Sequence, residues 1–239
     1  MMKANNLKGS DGLMRGLAFA IGIICSLISS VAFSEDATFG SSIVKVSPPK
    51  GFCELDKTNK ADVALFESAS NYVKVGGFSA IALYPDCHEF EEWRKSKAFL
   101  LTKVVFARYV KHIDRPAPQF TTEACEYLRK GLSDEIKARI SEAVTEFSKG
   151  NSSLTNTMSL GVLDEVKGTV CYSGQLGRGK IANVGDVTFV YLSAGTYVGD
   201  QAISISQWTN YVDESSIPEA LANLKAIYSH FAAANGKTN

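Results

Sequence analysis

The chain has 239 residues, of which 45% are hydrophobic, 10% aromatic and 21% charged. That profile is globular and excludes wholesale disorder and collagen or coiled-coil fibres. Lys plus Arg and Asp plus Glu each number 25, so the formal net charge is zero. With no basic excess or stripe in view, nucleic-acid binding by phosphate neutralisation is excluded as well.

The first element is an address. Lys3, Lys8 and Arg15 stand against one acid, Asp11, and an uncharged apolar run from Gly16 to Phe33 follows. It ends in Ala32-Phe33-Ser34, with small residues at the minus-three and minus-one places before Glu35. Basic start, apolar middle and small-residue exit predict a secretory signal peptide over residues 1–34. The alternative is an uncleaved anchor near the lower length limit for spanning a bilayer, a reading weakened by Ser26, Ser29 and Ser30. Ile23 and Ile24 precede Cys25 where a lipoprotein needs small residues, so that reading is excluded. Either way the remainder is exported, periplasmic or extracellular, because the basic flank stays inside. Contact with a membrane is expected only if the segment is uncleaved.

Residues 35–239 then form a single domain with 22 basic and 24 acidic residues, long enough for one sizeable core. Four cysteines remain: Cys53, Cys87, Cys125 and Cys171. An even number in an exported chain predicts two disulfides, with three pairings that spacing cannot choose between. No pair has C-x-x-C spacing, so neither a thioredoxin-like site nor a zinc knuckle is indicated.

Residues 35–41 read as a short polar lead, and Ser42 to Val46 as a β-like piece ended by Pro48-Pro49-Lys50-Gly51. Helical spacing of Leu65, Phe66, Ala69, Tyr72 and Val73 predicts a helix over 59–73, broken at Gly76-Gly77. Phe78 to Tyr84 is an apolar run of strand length, stopped by Pro85. Asp86, three residues before Glu89, gives a capping-box-like start to a short helix carrying Phe90 and Trp93. Phe99 to Val110, apolar on both alternations, suits a strand covered on both faces.

Residues 112–119, with two prolines, read as a loop. Thr121 or Thr122 opens a helix to Gly131, and Ser133 opens another with Ile136, Ile140, Val144 and Phe147 on one face. Residues 151–159 read as a polar connector. Strands are expected over 160–166 and 169–172, around Lys167-Gly168, and over 187–198 and 201–211, joined at Gly199-Asp200. In the closing helix Ser216 caps, Pro218 sits in the first turn and Glu219 completes the box. Its buried stripe is Ile217, Leu221, Leu224, Tyr228 and Phe231, and Asn235-Gly236 ends it. Helices early, hairpins late and one closing helix predict an α+β domain, a mainly antiparallel sheet with helices packed on its faces in an α/β/α sandwich-like arrangement.

No constellation of residues makes a convincing active site. Gly174 to Lys180 fits G-x-x-x-x-G-K, but Ile181 replaces the Ser or Thr that would hold magnesium, and no helix follows to aim its N-terminus at a phosphate. The run reads as a flexible glycine-rich loop between strands. Asp86, Cys87, His88 and Glu89 fan outward from a helix start, so four metal ligands do not converge there. The G-x-S-x-G elbow is absent, and three histidines leave few choices of general base. No catalytic residue, metal or cofactor is therefore predicted. Trp93-Arg94 pairs a broad aromatic face with a cation that takes anions or stacks on rings. Tyr191, Tyr197, Trp208 and Tyr211 crowd the last hairpin, where cross-strand pairing is the ordinary role and an aromatic-lined pocket the functional one. Trp93, Arg94, Trp208 and Tyr211 are the ligand-binding candidates.

Three pieces together carry a resemblance: Pro48-Pro49-Lys50-Gly51-Phe52-Cys53, then an apolar strand into Asp86-Cys87 with Trp93-Arg94 after it, then a hairpin and a helix ending at Ala234-Asn235. The chain resembles a set of uncharacterised bacterial exported proteins with a P-x-G-[FY]-C start and a D-C…W-R segment. The resemblance implies no activity. It favours a Cys53–Cys87 bridge, leaving Cys125–Cys171 by subtraction. The order of elements is also similar to the PsbP/Mog1-like α/β/α sandwich, a fold used mostly for protein binding. The expectation is a non-enzymatic envelope protein, periplasmic in a Gram-negative cell, that binds another protein or a small molecule. The rival is an exported hydrolase or metal-dependent enzyme whose site assembles from distant segments.

Overall fold

A computed structural model of the chain describes residues 35–75, 77–96, 101–131, 138, 152–181 and 185–237. The expected signal segment at 1–34 and nearly all of the expected helix over 133–147 lie outside the described residues. The described residues form twelve elements in chain order. They are β1 (Glu35–Phe39), β2 (Ser42–Val46), α1 (Lys60–Val75), β3 (Ser79–Pro85), α2 (Cys87–Ser96), β4 (Val104–His112), α3 (Ala117–Arg129), β5 (Ser152–Val166), β6 (Val170–Ile181), β7 (Gly185–Val198), β8 (Gln201–Asn210) and α4 (Ser216–Ala234). Six strands form one antiparallel sheet in the order β3-β4-β8-β7-β6-β5, and β1 and β2 make a separate hairpin. Helices pack on this sheet, so the fold is α+β as expected. No described helix is long and apolar enough to cross a membrane.

Strand pairing sorts the side chains into two faces, because directly opposed residues in an antiparallel pair share a face. Val105, Ala107, Leu192, Ala194, Ile203 and Ile205 alternate onto one face and are buried there with Tyr84 and Tyr172. They pack against Leu224, Ile227, Tyr228 and Phe231 of α4 and against Val44 and Val46 of β2. The α4 stripe has the i, i+3, i+4 spacing that presents one helix face to a core. Ile217 and Leu221, also expected in the stripe, are only half-buried at its edge. Asn235 fixes the far end of the helix: its side chain accepts from the Lys45 N–H at 2.9 Å and donates to the Lys45 carbonyl at 2.8 Å.

The opposite face carries Arg108, Ser193, Ser204, Ser206 and Cys171. The Cys125–Cys171 disulfide (Cα–Cα 5.6 Å) ties α3 to this side. A sheet with α4 on one face and α3 on the other is the layered arrangement that buries both.

The structure moves several expected boundaries. Residues 35–39 are a strand rather than a polar lead, since β2 offers them a ladder. Helix α3 starts at Ala117, inside the expected loop, with Pro116 at its N-cap and Pro118 in its first turn, where a missing N–H costs nothing. Thr121 and Thr122 donate back to the carbonyls of Ala117 and Pro118 instead of capping. Ser216 does not cap α4 either: its hydroxyl accepts from the N–H groups of Val212 and Asp213, and Ser215 holds the N-cap position.

The largest departures are in the β5–β6 hairpin. Residues 152–159, expected as a connector, belong to β5, and Gly174–Lys180, expected as a flexible loop, belongs to β6. The glycines serve close packing. A Cβ on Gly177 would lie 2.3 Å from the Phe189 ring. Strand β5 is the sheet edge, and register shifts between Leu154/Asn156, Ser159/Gly161 and Val162/Asp164 interrupt its ladder, a device that discourages edge-to-edge pairing. The expected hairpin at Gly199-Asp200 is present, with Gly199 at φ 57.

Candidate functional site

The two parts of the quoted Pro-Lys-Gly-Phe-Cys and Asp-Cys segments meet in space and build one wall of a cleft. The Phe52 N–H donates to the Pro49 carbonyl at 3.0 Å and closes a tight turn. Cys53 N–H donates to the Pro85 carbonyl, and Cys87 N–H donates to the Gly51 carbonyl, at 2.9 and 3.0 Å. The Cys53–Cys87 disulfide (Cα–Cα 5.0 Å) locks that junction, the pairing that the resemblance implies.

Asp86 caps α2, its Oδ1 accepting from the N–H groups of His88 and Glu89 at 3.0 and 3.2 Å. The capping box is half made, because Glu89 does not reach back. Its carboxylate accepts from the N–H groups of Thr102 and Lys103 and from the Thr102 hydroxyl. Glu89 therefore holds Thr102 and Lys103 at the start of β4, beside Asp86, whose N–H donates to the Lys103 carbonyl at 2.9 Å.

The opposing wall is α4, through Glu219, Asn223 and His230, and Gln207 of β8 also lines the space. The space between the walls is about 680 Å³ and open to solvent on one side. Gln207 is 5% exposed, and its Oε1 has no hydrogen-bond partner. A buried acceptor without a donor costs about 1–3 kcal/mol, so the position is expensive for the empty fold. Lys50, Lys103 and Glu219, all exposed, have no ion-pair partner among the described residues. The cleft thus offers an unmatched acceptor beside two free ammonium groups on one wall and a free carboxylate on the other.

None of the four sequence-predicted ligand residues lines this cleft. Trp93 and Arg94 come together on α2 around Phe90: Trp93 stacks on its ring at 5.7 Å, and the Arg94 guanidinium lies 4.2 Å from its centroid. Arg94 is also paired with the fully buried Asp62 of α1, and that carboxylate holds the guanidinium above its ordinary range. Trp208 stacks on Phe189 (5.0 Å) and stands opposite Tyr191, on the sheet face away from Gln207. Tyr211 is half-buried against the core. Lys50, Phe52 and Asp86 stand in the quoted motif, but none of them is among the ligand-binding candidates read from the sequence. The signal for Gln207 was an amide in a strand whose first seven residues are all buried.

Ser42 Oγ donates to Asp200 Oδ1 at 3.0 Å, and His112 Nδ1 lies 3.4 Å from Asp200 Oδ2. The carboxylate stands between hydroxyl and imidazole, so this imidazole takes no proton from the serine. Ser47 Oγ lies 2.8 Å from His230 Nε2 at the cleft. Among the described residues no three His, Cys, Asp or Glu side chains group as metal ligands.

No family model matches the chain, and no curated protein matches it. Among the solved structures that align with it weakly are two proteins of one kind. One is the Ran-binding protein Mog1p of Saccharomyces cerevisiae, at 13% identity over 80% of this chain and 86% of that one, with a TM-score of 0.34. The other is a point mutant of Mog1, at 14% identity over 84% and 91%, with a TM-score of 0.35. Both likenesses are weak.

Proposed function

We propose that the chain is an exported, non-enzymatic binding module. Its ligand is a small polar molecule, or the end of a partner's chain, carrying a hydrogen-bond donor and an acidic group. It enters the cleft between the Pro49–Phe52 turn and α4, with its donor on Gln207 and its acidic group toward Lys50 and Lys103. The observation that carries this reading is the buried Gln207 Oε1 without a donor, in a cleft of about 680 Å³. Export rests on the pattern of residues 1–34, and two disulfides suit an oxidising compartment. Mass spectrometry of the N-terminus checks it: a mature chain starting near Glu35 is expected, and a retained Met1 with reduced thiols refutes it.

The binding reading is tested by melting the mature protein against a panel of amino acids, dipeptides and hydroxy acids, followed by calorimetric titration of any that stabilise it. A K50Q/K103Q variant should lose the response to acidic members. Stabilisation that persists in that variant places the ligand elsewhere.

The hydrolase reading keeps one observation, the 2.8 Å contact of Ser47 with His230. Among the described residues no carboxylate orients that imidazole, and without such a group a serine–histidine pair is a weak nucleophile. Labelling of Ser47 by a fluorophosphonate probe would favour the enzyme over the binding module.

A further inference from the structure

On the sheet face opposite the cleft, the geometry points to a second binding site, for a small carboxylate or related oxyanion, centred on Arg108 and the hydroxyls of Tyr191, Ser204 and Ser206. Arg108 pairs with Ser204, whereas Gln207 pairs with Val105, so the alternation of β4 and β8 sends Arg108 and Gln207 to opposite faces. The Arg108 guanidinium lies 4.5 Å from the Phe78 ring centroid and 5.8 Å from that of Tyr191. Its Nε is buried and has no hydrogen-bond partner. No described carboxylate pairs with it, unlike Arg94, Arg115 and Arg129, each of which has one.

Among the described residues the groups around it supply no countercharge. Tyr191 Oη donates to Ser206 Oγ at 2.7 Å, and Ser193 and Ser204 share a hydrogen bond of the same length. Ser204 and Ser206 are 5% and 1% exposed. Burial, with Tyr191 adding to it, pushes the Tyr72 phenol up to about 12, so it stays protonated and is no counter-ion. Ser206 also lies 3.3 Å from Ser204 and 3.5 Å from Ser193, so the result is a cation with an unused donor beside hydroxyls bonded to one another, which turn a proton to a ligand only by giving up one of those bonds. A neutral ligand satisfies the donors but leaves the charge. A planar oxyanion does both, taking Nε and a terminal nitrogen side-on while the aromatic rings hold the guanidinium plane.

The test uses the mature chain with formate and acetate as probes and sodium chloride at matched ionic strength as reference. The Arg108 Nε–H resonance in a nitrogen-15 spectrum should move saturably with either probe, and the melting temperature should rise with the same midpoint. Chloride should do neither. Arg108→Met should abolish the effect, and Arg108→Lys, which keeps the charge but loses the fork, should weaken it about tenfold or more. No saturable shift up to about 100 mM, far above a millimolar dissociation constant, overturns the proposal. So does an equal response to chloride, or a response retained in Arg108→Met. If that variant fails to fold, the wild-type resonance and the chloride reference decide the matter alone.

Discussion

Asp62 and Arg94, on separate helices, form an ion pair in which the Asp62 side chain is wholly buried and the Arg94 side chain is 38% exposed. Asp62 also accepts from the Asp56 N–H at 2.9 Å, so the pair joins α2 to α1 and to the turn before it. Removing one partner of a buried pair strands the other charge and costs about 3–5 kcal/mol. Water reaches the Arg94 side here, which brings the expectation for Arg94→Met down to about 2 kcal/mol. Adding Asp62→Asn should recover part of that loss, because the stranded charge is gone. Urea unfolding at constant m-value measures both. Strictly additive effects would show that the two residues are not coupled.

The two disulfides close loops of 34 and 46 residues in sequence separation. In the chain-entropy model each contributes about 4 kcal/mol. Cys125→Ser/Cys171→Ser should lower stability by that order and leave ligand binding intact. Cys53→Ser/Cys87→Ser should also loosen the turn that carries Lys50 and Phe52, and so weaken binding in the cleft. Comparing calorimetric affinity with unfolding midpoints separates the two effects.

Gly177 packs under Phe189, and Phe189 stacks on Trp208. Gly177→Ala should cost about 1–3 kcal/mol by overpacking. It should also shift the emission of Trp208, because the ring above it must move. Phe189→Leu in the same chain should relieve the strain. An alanine tolerated without any spectral change would refute the contact.

That contact also explains why the far end of the β5–β6 hairpin is hidden in the sequence, whereas its turn end around Lys167-Gly168 is legible there. Glycine is depleted in strands, so Gly174–Lys180 read as a loop, yet its glycines answer to a bulky side chain on the next strand, a long-range cause that local pattern cannot carry. The elements with local causes were legible: the spacing of Leu224, Tyr228 and Phe231 in α4, and the Gly199 turn between β7 and β8. The same division holds for the cleft. Lys50, Phe52 and Asp86 were visible as a motif, but Gln207 becomes notable only once its neighbours are known to leave its oxygen without a donor.

Lys237 lies with its ammonium 3.3 Å from the Tyr197 ring centroid, and burial lowers its pKa to about 8. The unfolded chain then holds more protons than the folded one between about pH 8 and the ordinary lysine range near 10.5. Stability should rise with pH through that window, and the penalty should be fully present below pH 8. The ring contact favours the charged form and opposes the shift, so the slope should be shallow. Lys237→Met should remove it, as chemical unfolding at a series of pH values would show. Acetylation at pH 8 should also mark Lys237 ahead of the exposed Lys50 and Lys103. A slope unchanged in the variant would mean another group is responsible.

Gln207 sets stability against binding. Its Oε1 is buried beside the cleft with no donor, so the amide is a cost to the empty fold and an asset only when a ligand supplies a donor. Leucine is close in size and carries no polar atom. Gln207→Leu should therefore raise stability by about 1 kcal/mol, since it removes an unsatisfied buried group. That corresponds to roughly 2–4 °C in melting temperature for a chain of this size. The same change should abolish stabilisation by any ligand found for the cleft, whereas Gln207→Glu should disfavour acidic ligands by repulsion as well as burying a charge. A leucine variant that is more stable and still binds would relieve Gln207 of any role in recognition. One that is less stable would show that the amide already has a partner in solution, and the argument for the cleft would then lose its main support.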